Sequence, residues 1–447
     1  MTPEQDVLLA RLANIFDPFR PLPAGDPTYV DLKAVRGDGD VLRELGRTII
    51  HASHKSNHFT CQLYSGHRGG GKSTELLKLQ KYLEEKGFQV VYFAADEDID
   101  VLHVEYTDIL FACTKHLIEK LRQTADPMPI IRLFRDLIRY FSEFDNDLSF
   151  DEGNVEAGVA EFVKFSAKVK ASPTVRQKIR ERLDPHTPTL IDALNEFIQS
   201  YAQRIQKPDK VVVIADNLDR IVPTVKDGRL NHEQIFLDRS EQLRALKCHI
   251  VYTVPISMVF SHEDHLQESF GKVRRLPMIM VRTRQDSDYV PGIDRLREFL
   301  NLRIKAVFES FSVDNVFDNP NTWRELCLRS GGHVRGLIYL IRIAIQQIDQ
   351  LPITEKAARR AISEFRDTYQ KTVRAADWEK LAKTSISKNI ENDADYRRLL
   401  FNRSILEYCD VSTTGEIEYW YNVNPVILGI GMFQTTLHTI QQQIQSP

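Results

Sequence analysis

The sequence of 447 residues predicts an α/β fold in which a parallel sheet precedes a mostly helical region. Three observations predict this class. A short β-prone run, a glycine-rich loop and an amphipathic helix follow one another in residues 59–87. The uninterrupted apolar run at residues 211–214 is typical of a strand covered on both faces of a parallel sheet. Helical periodicity then dominates residues 286–370.

The composition is that of an ordinary globular chain, with 42% hydrophobic residues, 27% charged residues and a net charge of −3. No apolar run approaches the roughly 18 residues of a membrane span. The N-terminal sequence MTPEQDVLLARL lacks the basic region of a signal peptide. The five scattered cysteines form no Cys-x-x-Cys pair, a pattern typical of buried thiols in a reducing compartment. We therefore expect a cytoplasmic protein.

The glycine-rich loop has a specific spacing, because residues 66–73 read GHRGGGKS and match G-x-x-x-x-G-K-[ST] at every fixed position. The run FTCQLYS precedes it, and a helix with Leu76, Leu79 and Leu83 on one face follows it. Glycines let consecutive N–H groups point inward, and a helix that begins near Lys72 adds unsatisfied N–H donors. This order predicts a phosphate-binding loop; the other interpretation is a glycine-rich turn that matches the motif by chance.

Within such a loop the lysine contacts the β- and γ-phosphates and the following hydroxyl binds Mg²⁺, so ATP and Mg²⁺ are the predicted cofactors. Ser73 is accordingly a predicted metal ligand. The residues predicted to bind the nucleotide here are Gly66, His67, Arg68, Gly69, Gly70, Gly71, Lys72, Ser73 and Thr74.

A second ligand for Mg²⁺ is expected at the end of another strand. The segment KPDKVVVIADNLDRI provides Asp216 directly after a buried apolar strand, where it would contact Mg²⁺ directly or through water. Asp219, three residues later, is a candidate to place the attacking water. The alternative is a buried strand that ends in a turn capped by the aspartate side chain.

With these residues in place, the chain resembles the STAND and origin-recognition-like branch of AAA+ ATPases over about residues 28–370. ADNLDR is similar to the Walker B segment of the NACHT and KAP subfamilies. CHIVYTVP resembles their sensor 1 strand, with Thr253 at the polar position. SGGHVRGLIYLIRIA resembles the start of the lid helix, with Arg335 as sensor 2. VDLKAVRGDGDVLREL is similar to the N-terminal box, which implies that Arg36 and Gly37 lie near the adenine.

Several of these assignments have plain alternatives. Thr253 is equally explained as a β-branched strand residue, and Arg335 as a solvated residue. A cation at a helix start opposes the helix dipole, which favours a phosphate-facing role for Arg335. The family's arginine finger corresponds to the segment FLDRSEQLRALKC, which offers Arg239 as the candidate catalytic residue and also Arg244. Asn217 stands where many such ATPases carry a glutamate base, so we expect slow hydrolysis.

The chain is predicted to form a nucleotide-binding domain (1–285), a helical lid (286–370) and a C-terminal domain (371–447). Lys72 and Asp216 are 144 positions apart, which together with helical periodicity predicts a helical insertion at about 125–185, with a loop around NDLSFDEGNVEAG. These helices are amphipathic and charged, so they do not resemble the membrane helices of KAP insertions. At the C-terminus, DADYRRLLFNRSILEYCD predicts a helix and EIEYWYNVNP a strand, which suggests a winged-helix-like module.

The resemblance implies an ATP-binding, slowly hydrolysing switch that assembles with itself or with a separate effector protein, in bacterial signalling or antiviral defence. The alternative is a DNA-associated regulator of the origin-recognition or transposition type. Residues 404–447 contain four acids and no Lys or Arg, which disfavours DNA as the partner. A small-molecule kinase is a third class, and a helical lid with a sensor arginine disfavours it.

Overall fold

A computed structural model describes residues 3–445 other than residues 38, 56, 143–154, 207–208 and 227. The chain divides into two compact units. The first unit comprises Met1–Val41, Gly66–Glu75 and Arg275–Pro447, and the second comprises Leu42–Ser65 and Leu76–Arg274. The three-part division drawn from the sequence remains a prediction.

The strands are β1 (Cys61–Gly66), β2 (Gln89–Ala94), β3 (Val211–Asp216), β4 (Val225–Lys226), β5 (Arg229–Leu230), β6 (His249–Val254), β7 (Arg274–Leu276), β8 (Ile405–Val411) and β9 (Ile417–Val423). The helices of the first half of the chain are α1 (Pro3–Ile15), α2 (Val41–Ala52), α3 (Lys72–Glu85), α4 (Tyr106–Leu121), α5 (Met128–Ser142), α6 (Val155–Ala171), α7 (Pro173–Leu183) and α8 (Thr187–Ile205). Those of the second half are α9 (Asn231–Glu233), α10 (Ser240–Arg244), α11 (Ile256–Phe270), α12 (Val290–Val307), α13 (Val313–Val316), α14 (Pro320–Ser330), α15 (Val334–Gln346), α16 (Glu355–Thr372), α17 (Asp377–Ser387), α18 (Ala394–Phe401) and α19 (Gly431–Gln445).

In the large sheet the strands of the second unit have the order β2-β3-β6-β1. In the second unit β2 pairs with β3, β3 with β6 and β6 with β1, all in parallel. Every residue of β3 and of β6 is buried. The uninterrupted apolar sequence of β3 is therefore that of a central strand covered on both faces, as predicted. The chain thus has the predicted α/β class.

Helices α5, α6 and α7 occupy the region for which a helical insertion was predicted. A cluster of aromatic rings packs α4 against α5 and α6, with centroids 5.4 Å apart for Phe111 and Phe134 and 4.6 Å apart for Phe134 and Phe162. Ser172 caps α7 by accepting the N–H of Val175. Of the predicted polar loop, residues 146–154 lie outside the described residues, and residues 155–158 begin α6.

In the first unit, helices α12 to α16 form the helical region predicted as a lid. Their apolar faces share one core with α1. Helices α14, α15 and α16 start at polar caps, since Asn319, His333 and Thr354 accept N–H groups there. Among the described residues, no helix combines the length and the apolar character needed to cross a membrane.

The C-terminal segment (residues 371–447) contains a β-hairpin between helices. β8 and β9 pair antiparallel, and the rings of Tyr408 and Trp420 stack across the pair at 4.5 Å. The single helix predicted for DADYRRLLFNRSILEYCD is therefore wrong in its second half, because α18 ends at Phe401 and β8 begins at Ile405. The turn between them includes Arg403 at φ +66°, a conformation that ends a right-handed helix. Trp420 and Tyr421 are buried, so these two aromatic residues serve packing here.

All five cysteines are free thiols, and four of them are buried. This agrees with the interpretation of the scattered cysteines as single thiols rather than as a disulfide framework.

Candidate functional site

The phosphate loop (residues 66–74) follows β1 and runs into α3. Its backbone takes positive φ at Gly66 (+151°), Gly69 (+84°) and Gly71 (+111°), a region that side chains with a Cβ rarely adopt. The N–H of Gly70 donates to the carbonyl of His67 at 3.0 Å and closes a turn inside the loop. The glycines of the motif are thus explained by local geometry.

Lys72 is the first residue of α3, and its side chain is 5% exposed. Its ammonium group donates to the carbonyls of Gly66 at 2.8 Å and His67 at 3.1 Å. The charge is therefore folded back over the loop. The start of α3 presents N–H groups without helical acceptors, which with this ammonium makes a donor set suited to an anion.

Three consecutive carbonyls of the phosphate loop accept hydrogen bonds from other parts of the first unit. The carbonyl of Arg68 accepts from Nε2 of His333 at 2.7 Å. The carbonyl of Gly69 accepts from the backbone N–H of Arg335 at 3.1 Å. The carbonyl of Gly70 accepts from Nη2 of Arg36 at 2.7 Å. The loop is thus held by the start of α15 and by the N-terminal segment.

The contact with α15 requires a glycine at position 69. A Cβ built on Gly69 would lie 2.7 Å from Cβ of Arg335 and 2.9 Å from Nε2 of His333. Both distances are shorter than real Cβ contacts, so a larger residue would push the loop away from α15.

The side chains of the variable loop positions point to the C-terminal segment. Nε2 of His67 accepts the backbone N–H of Glu407 on β8 at 2.9 Å, and the Arg68 guanidinium lies over the Phe401 ring at 4.5 Å. Burial holds the pKa of His67 well below its usual range, with smaller contributions from His333 and Lys72. A neutral imidazole fits its role as a hydrogen-bond acceptor.

The last predicted residue of the phosphate loop, Thr74, accepts the N–H of Leu22 through Oγ1 at 3.2 Å. Nearby, the Tyr29 hydroxyl donates to Oε1 of Glu75 at 3.0 Å. The N-terminal segment therefore contacts the start of α3 at two points.

Arg36 and Gly37, which the resemblance places near the adenine, lie beside the phosphate loop and β8. Arg36 is 6% exposed, and its guanidinium donates to the carbonyls of Gly70 and Pro277. Gly37 has φ +83°, and a Cβ there would lie 2.6 Å from Sγ of Cys409. Arg335 is half-buried, and its Nε donates to the carbonyl of Pro18 at 2.9 Å.

The predicted acidic residues belong to the second unit. Asp216, the last residue of β3, is fully buried. Its Oδ2 accepts the Tyr92 hydroxyl at 2.8 Å, and its Oδ1 accepts the backbone N–H of Asn217 at 2.7 Å. These two donors fix the orientation of the carboxylate.

Thr253 on β6 is buried beside the turn that follows β3. Its hydroxyl oxygen accepts the N–H of Leu218 at 2.9 Å and donates to the carbonyl of Ala215 at 3.5 Å. The hydroxyl thus joins β6 to the backbone on both sides of Asp216. A role as sensor 1 remains a prediction.

Asn217 takes φ +64° and turns its side chain toward β2, where Nδ2 donates to Oδ1 of Asp96 at 2.7 Å. Oδ2 of Asp96 accepts Nη1 of Arg220 at 2.5 Å. Asp219 is 4% exposed in the same turn. The ends of the neighbouring strands β2 and β3 therefore carry three carboxylates, those of Asp96, Asp216 and Asp219.

Arg239, the predicted arginine finger, directly precedes α10. Its guanidinium lies over the Tyr106 ring at 4.8 Å and forms an ion pair with Asp184 at 3.8 Å. The side chain is 43% exposed. Both contacts are ordinary surface interactions and neither distinguishes it from Arg244.

The structure thus brings Arg36, Arg335 and the phosphate loop together in the first unit, and Asp216, Asp219 and Thr253 together in the second. Sequence reasoning did not identify His333 or Tyr92 as part of these groups. His333 could have been predicted as a helix cap, because it is a polar residue directly before a helix. Tyr92 could have been found because it lies in the β-prone run QVVYFAADE, whose acid-rich end resembles a strand end at a site. Among the described residues, no three His, Cys, Asp or Glu side chains form a ready metal cluster.

Comparison with protein-family models gave no match, and comparison with curated proteins gave none either. Among solved structures, the chain is similar to the ORC2 protein of Aeropyrum pernix in its ADPNP–ADP complexes, at 10% identity and TM-score 0.44, over 97% of this chain and 98% of that one. It is also similar to Cdc6p of Pyrobaculum aerophilum, at 12% identity and TM-score 0.39, over 96% and 98% of the two chains. A Walker-type ATPase of Pyrococcus abyssi matches at 13% identity and TM-score 0.39, over 95% and 99%. Likenesses at this level carry no argument about activity.

Proposed function

We propose that the protein is an ATP-binding, slowly hydrolysing molecular switch of the AAA+ type. The observation that carries this proposal is the phosphate loop, in which Lys72 opens a helix and three glycines take positive φ. Such a loop offers inward N–H groups, a helix start and one ammonium charge to the phosphates. The nucleotide's phosphates would draw the Lys72 ammonium away from the two loop carbonyls that it now contacts.

Ser73 and Asp216 are the proposed ligands of Mg²⁺, which would neutralise charge between the β- and γ-phosphates. The register of the sheet supports Asp216. Ala215 lies opposite Tyr252, and Thr253 lies opposite Tyr64 near the end of β1. Because the strands are parallel, the carboxylate of Asp216 is at the same edge of the sheet at which β1 ends.

Slow hydrolysis is supported by the turn after β3. Asn217 cannot take a proton from water at neutral pH, and its amide is engaged by Asp96. Asp219 is the remaining proposed group for placing the attacking water. Thr253 and Arg335 are proposed to respond to the γ-phosphate, and Arg239 is the proposed finger in an oligomer.

The output is proposed to be assembly, either with further copies of the chain or with a separate effector protein, in signalling or antiviral defence. His67 and Arg68 support a link between the nucleotide and the C-terminal segment, because both belong to the phosphate loop and their side chains contact that segment. A nucleotide can shift such an arrangement only through different affinities for its two states. The native mass with and without MgATP tests the assembly step.

The DNA-associated alternative is tested by binding to duplex DNA at about 50 and 200 mM salt, since phosphate contacts lose affinity steeply over this range. If the protein bound duplex DNA and lost this affinity at the higher salt concentration, DNA would replace a protein as the proposed partner. The buried Trp420 gives this alternative no support.

Lys72→Ala tests the nucleotide site directly. We expect the dissociation constant for MgATP, measured by isothermal titration calorimetry, to rise about 10- to 100-fold, because a hydrogen bond to a charged group is lost. Lys81→Ala, at an exposed position on the same helix, is the matched control and should bind ATP like the wild type. A Lys72→Ala protein that folds and binds ATP with wild-type affinity would overturn the proposed function.

A further inference from the structure

The outward carbonyls of the phosphate loop are held by two side chains from distant positions in the sequence. His333 contacts the carbonyl of Arg68, and Arg36 contacts the carbonyl of Gly70. Neither side chain makes these bonds through a flexible or exposed group, since His333 is 4% and Arg36 is 6% exposed. These bonds therefore fix two peptide planes of the loop.

Fixing these planes has a consequence for the other side of the loop. In a planar trans peptide the N–H points opposite to the C=O. Holding the carbonyls of Arg68 and Gly70 outward thus directs the N–H groups of Gly69 and Gly71 the other way. Glycine peptides rotate freely unless they are held, and an unheld loop would lose more conformational entropy when it bound phosphate.

The two ring nitrogens of His333 have separate tasks. Nδ1 accepts the N–H of Gly336 at 3.1 Å and caps α15, so the proton is on Nε2, which donates to the carbonyl of Arg68. Burial lowers the pKa of His333 to about 3, with the charge of Arg403 as the next cause and smaller contributions from Arg335 and Lys72. The imidazole is therefore neutral at pH 7, as this pair of bonds requires.

Arg36 also joins two backbone groups. Nη2 donates to the carbonyl of Gly70 at 2.7 Å, and Nη1 donates to the carbonyl of Pro277 at 2.9 Å. The rigid fork of a guanidinium spans two acceptors, which the single ammonium of lysine does less well. The side chain thus holds two backbone carbonyls, and its place near the adenine stays a prediction.

We propose that His333 and Arg36 are positioning residues that pre-organise the phosphate-binding N–H groups of the loop. Their effect is on the phosphates and is independent of the base that the nucleotide carries. This inference rests on the proposed function, since it assumes that the loop binds nucleotide.

A pair of substitutions separates the two tasks of His333. His333→Asn keeps a side-chain acceptor that caps α15 but removes the donor to Arg68. His333→Gln keeps an N–H donor at the reach of Nε2 but is a poor cap. We expect His333→Asn to weaken MgATP binding about tenfold with a melting temperature near that of the wild type, the effect of roughly one hydrogen bond.

His333→Gln should keep ATP affinity within about threefold of the wild type, because the donor to the carbonyl of Arg68 is retained. It should lower the melting temperature, because the cap of α15 is weakened. If ATP affinity followed the melting temperature across both variants, His333 would be a structural residue only. Wild-type affinity in His333→Asn would overturn its proposed role directly.

Arg36→Lys is tested with two probes, MgATP and magnesium tripolyphosphate. A residue that positions the loop should weaken both by the same factor, about tenfold for one lost hydrogen bond of this kind. A residue that contacts the adenine should weaken ATP alone, and that result would overturn the inference. If the wild-type protein bound neither probe, the proposed function itself would fail, so the two failures are distinguishable.

Discussion

The phosphate loop of the first unit and the acidic turn of the second unit are positioned by different means. The phosphate loop is held by Arg36, His333 and the β8 backbone, which are distant in the sequence. Asp216 is held by its own strand and by Tyr92 on the neighbouring strand. A loop of glycines has little rigidity of its own. A carboxylate at the end of a strand is held in place by the hydrogen-bonded backbone of the sheet. The difference predicts where substitutions far from the motifs will matter.

The largest effect is expected at Glu407, whose strand supplies the N–H that His67 accepts. The Glu407 carboxylate is fully buried, 3.2 Å from Nη1 of Arg275, and accepts the Tyr421 hydroxyl at 3.0 Å. Glu407→Ala should lower the free energy of unfolding by about 3–5 kcal/mol, because it removes one partner of a buried ion pair. It should also weaken ATP binding if β8 helps to hold the loop. Urea unfolding and calorimetry measure the two effects.

Glu418 on the same hairpin is the matched control. It forms an ion pair with Arg284, but its side chain is 62% exposed. Glu418→Ala should therefore cost less than about 1 kcal/mol and leave ATP affinity unchanged. Equal losses of unfolding free energy for Glu407→Ala and Glu418→Ala would show that burial does not make one ion pair stronger than the other. The claim that buried contacts of β8 help to hold the phosphate loop would then fail.

The sequence predicted those parts of the molecule that depend on local pattern. Strand β3 was found because a central strand of a parallel sheet requires an unbroken apolar run. Strand β1 was found as a short β-prone run before the glycine motif, β6 through its resemblance to a sensor 1 strand, and the phosphate loop through the fixed spacing of its motif. β8 was missed because ILEYCDV becomes a strand through its pairing with β9, a contact that no local pattern encodes. The same reason hides His333, since only the tertiary structure brings its Nε2 to the carbonyl of Arg68.

An intermediate effect on stability is expected when a glycine with close neighbours is replaced and the result is compared with that for a glycine without them. Gly69 (φ +84°) and Gly87 (φ +80°) have similar backbone conformations, but a Cβ at Gly87 would meet no heavy atom within 4 Å. Gly87→Ala should cost about 1–2 kcal/mol for the left-handed conformation alone. Gly69→Ala should cost about 1–3 kcal/mol more through the clash with α15, and it should weaken ATP binding.

Thermal unfolding of the two glycine variants, followed by ATP titration, measures the difference. Because the conformational cost is shared, the excess at position 69 reports the contact between the phosphate loop and α15. Equal stability and equal ATP affinity in the two variants would mean that the contact does not constrain the loop.

The smallest effect is expected in the acidic turn, because the sheet already holds Asp216 in place. Tyr92→Phe removes the hydroxyl that donates to Oδ2 of Asp216 and should cost about 1.5 kcal/mol, the lower end for a hydrogen bond to a charged group. If the hydroxyl also orients the carboxylate toward Mg²⁺, the Mg²⁺ concentration for half-maximal hydrolysis should rise about tenfold for each 1.4 kcal/mol of lost orientation. Hydrolysis assays across a Mg²⁺ series measure this.

Tyr201→Phe is the control, because the Tyr201 hydroxyl donates to Gln89 at the opposite end of β2, at 3.3 Å. It should change stability slightly and the Mg²⁺ dependence not at all. An unchanged Mg²⁺ dependence in Tyr92→Phe as well would show that the register of β3 between β2 and β6 suffices to orient Asp216. The contrast with the phosphate loop would then be sharper. The acidic turn would depend on its sheet alone, while the loop depends on Arg36, 34 positions from Gly70, and on His333, 265 positions from Arg68.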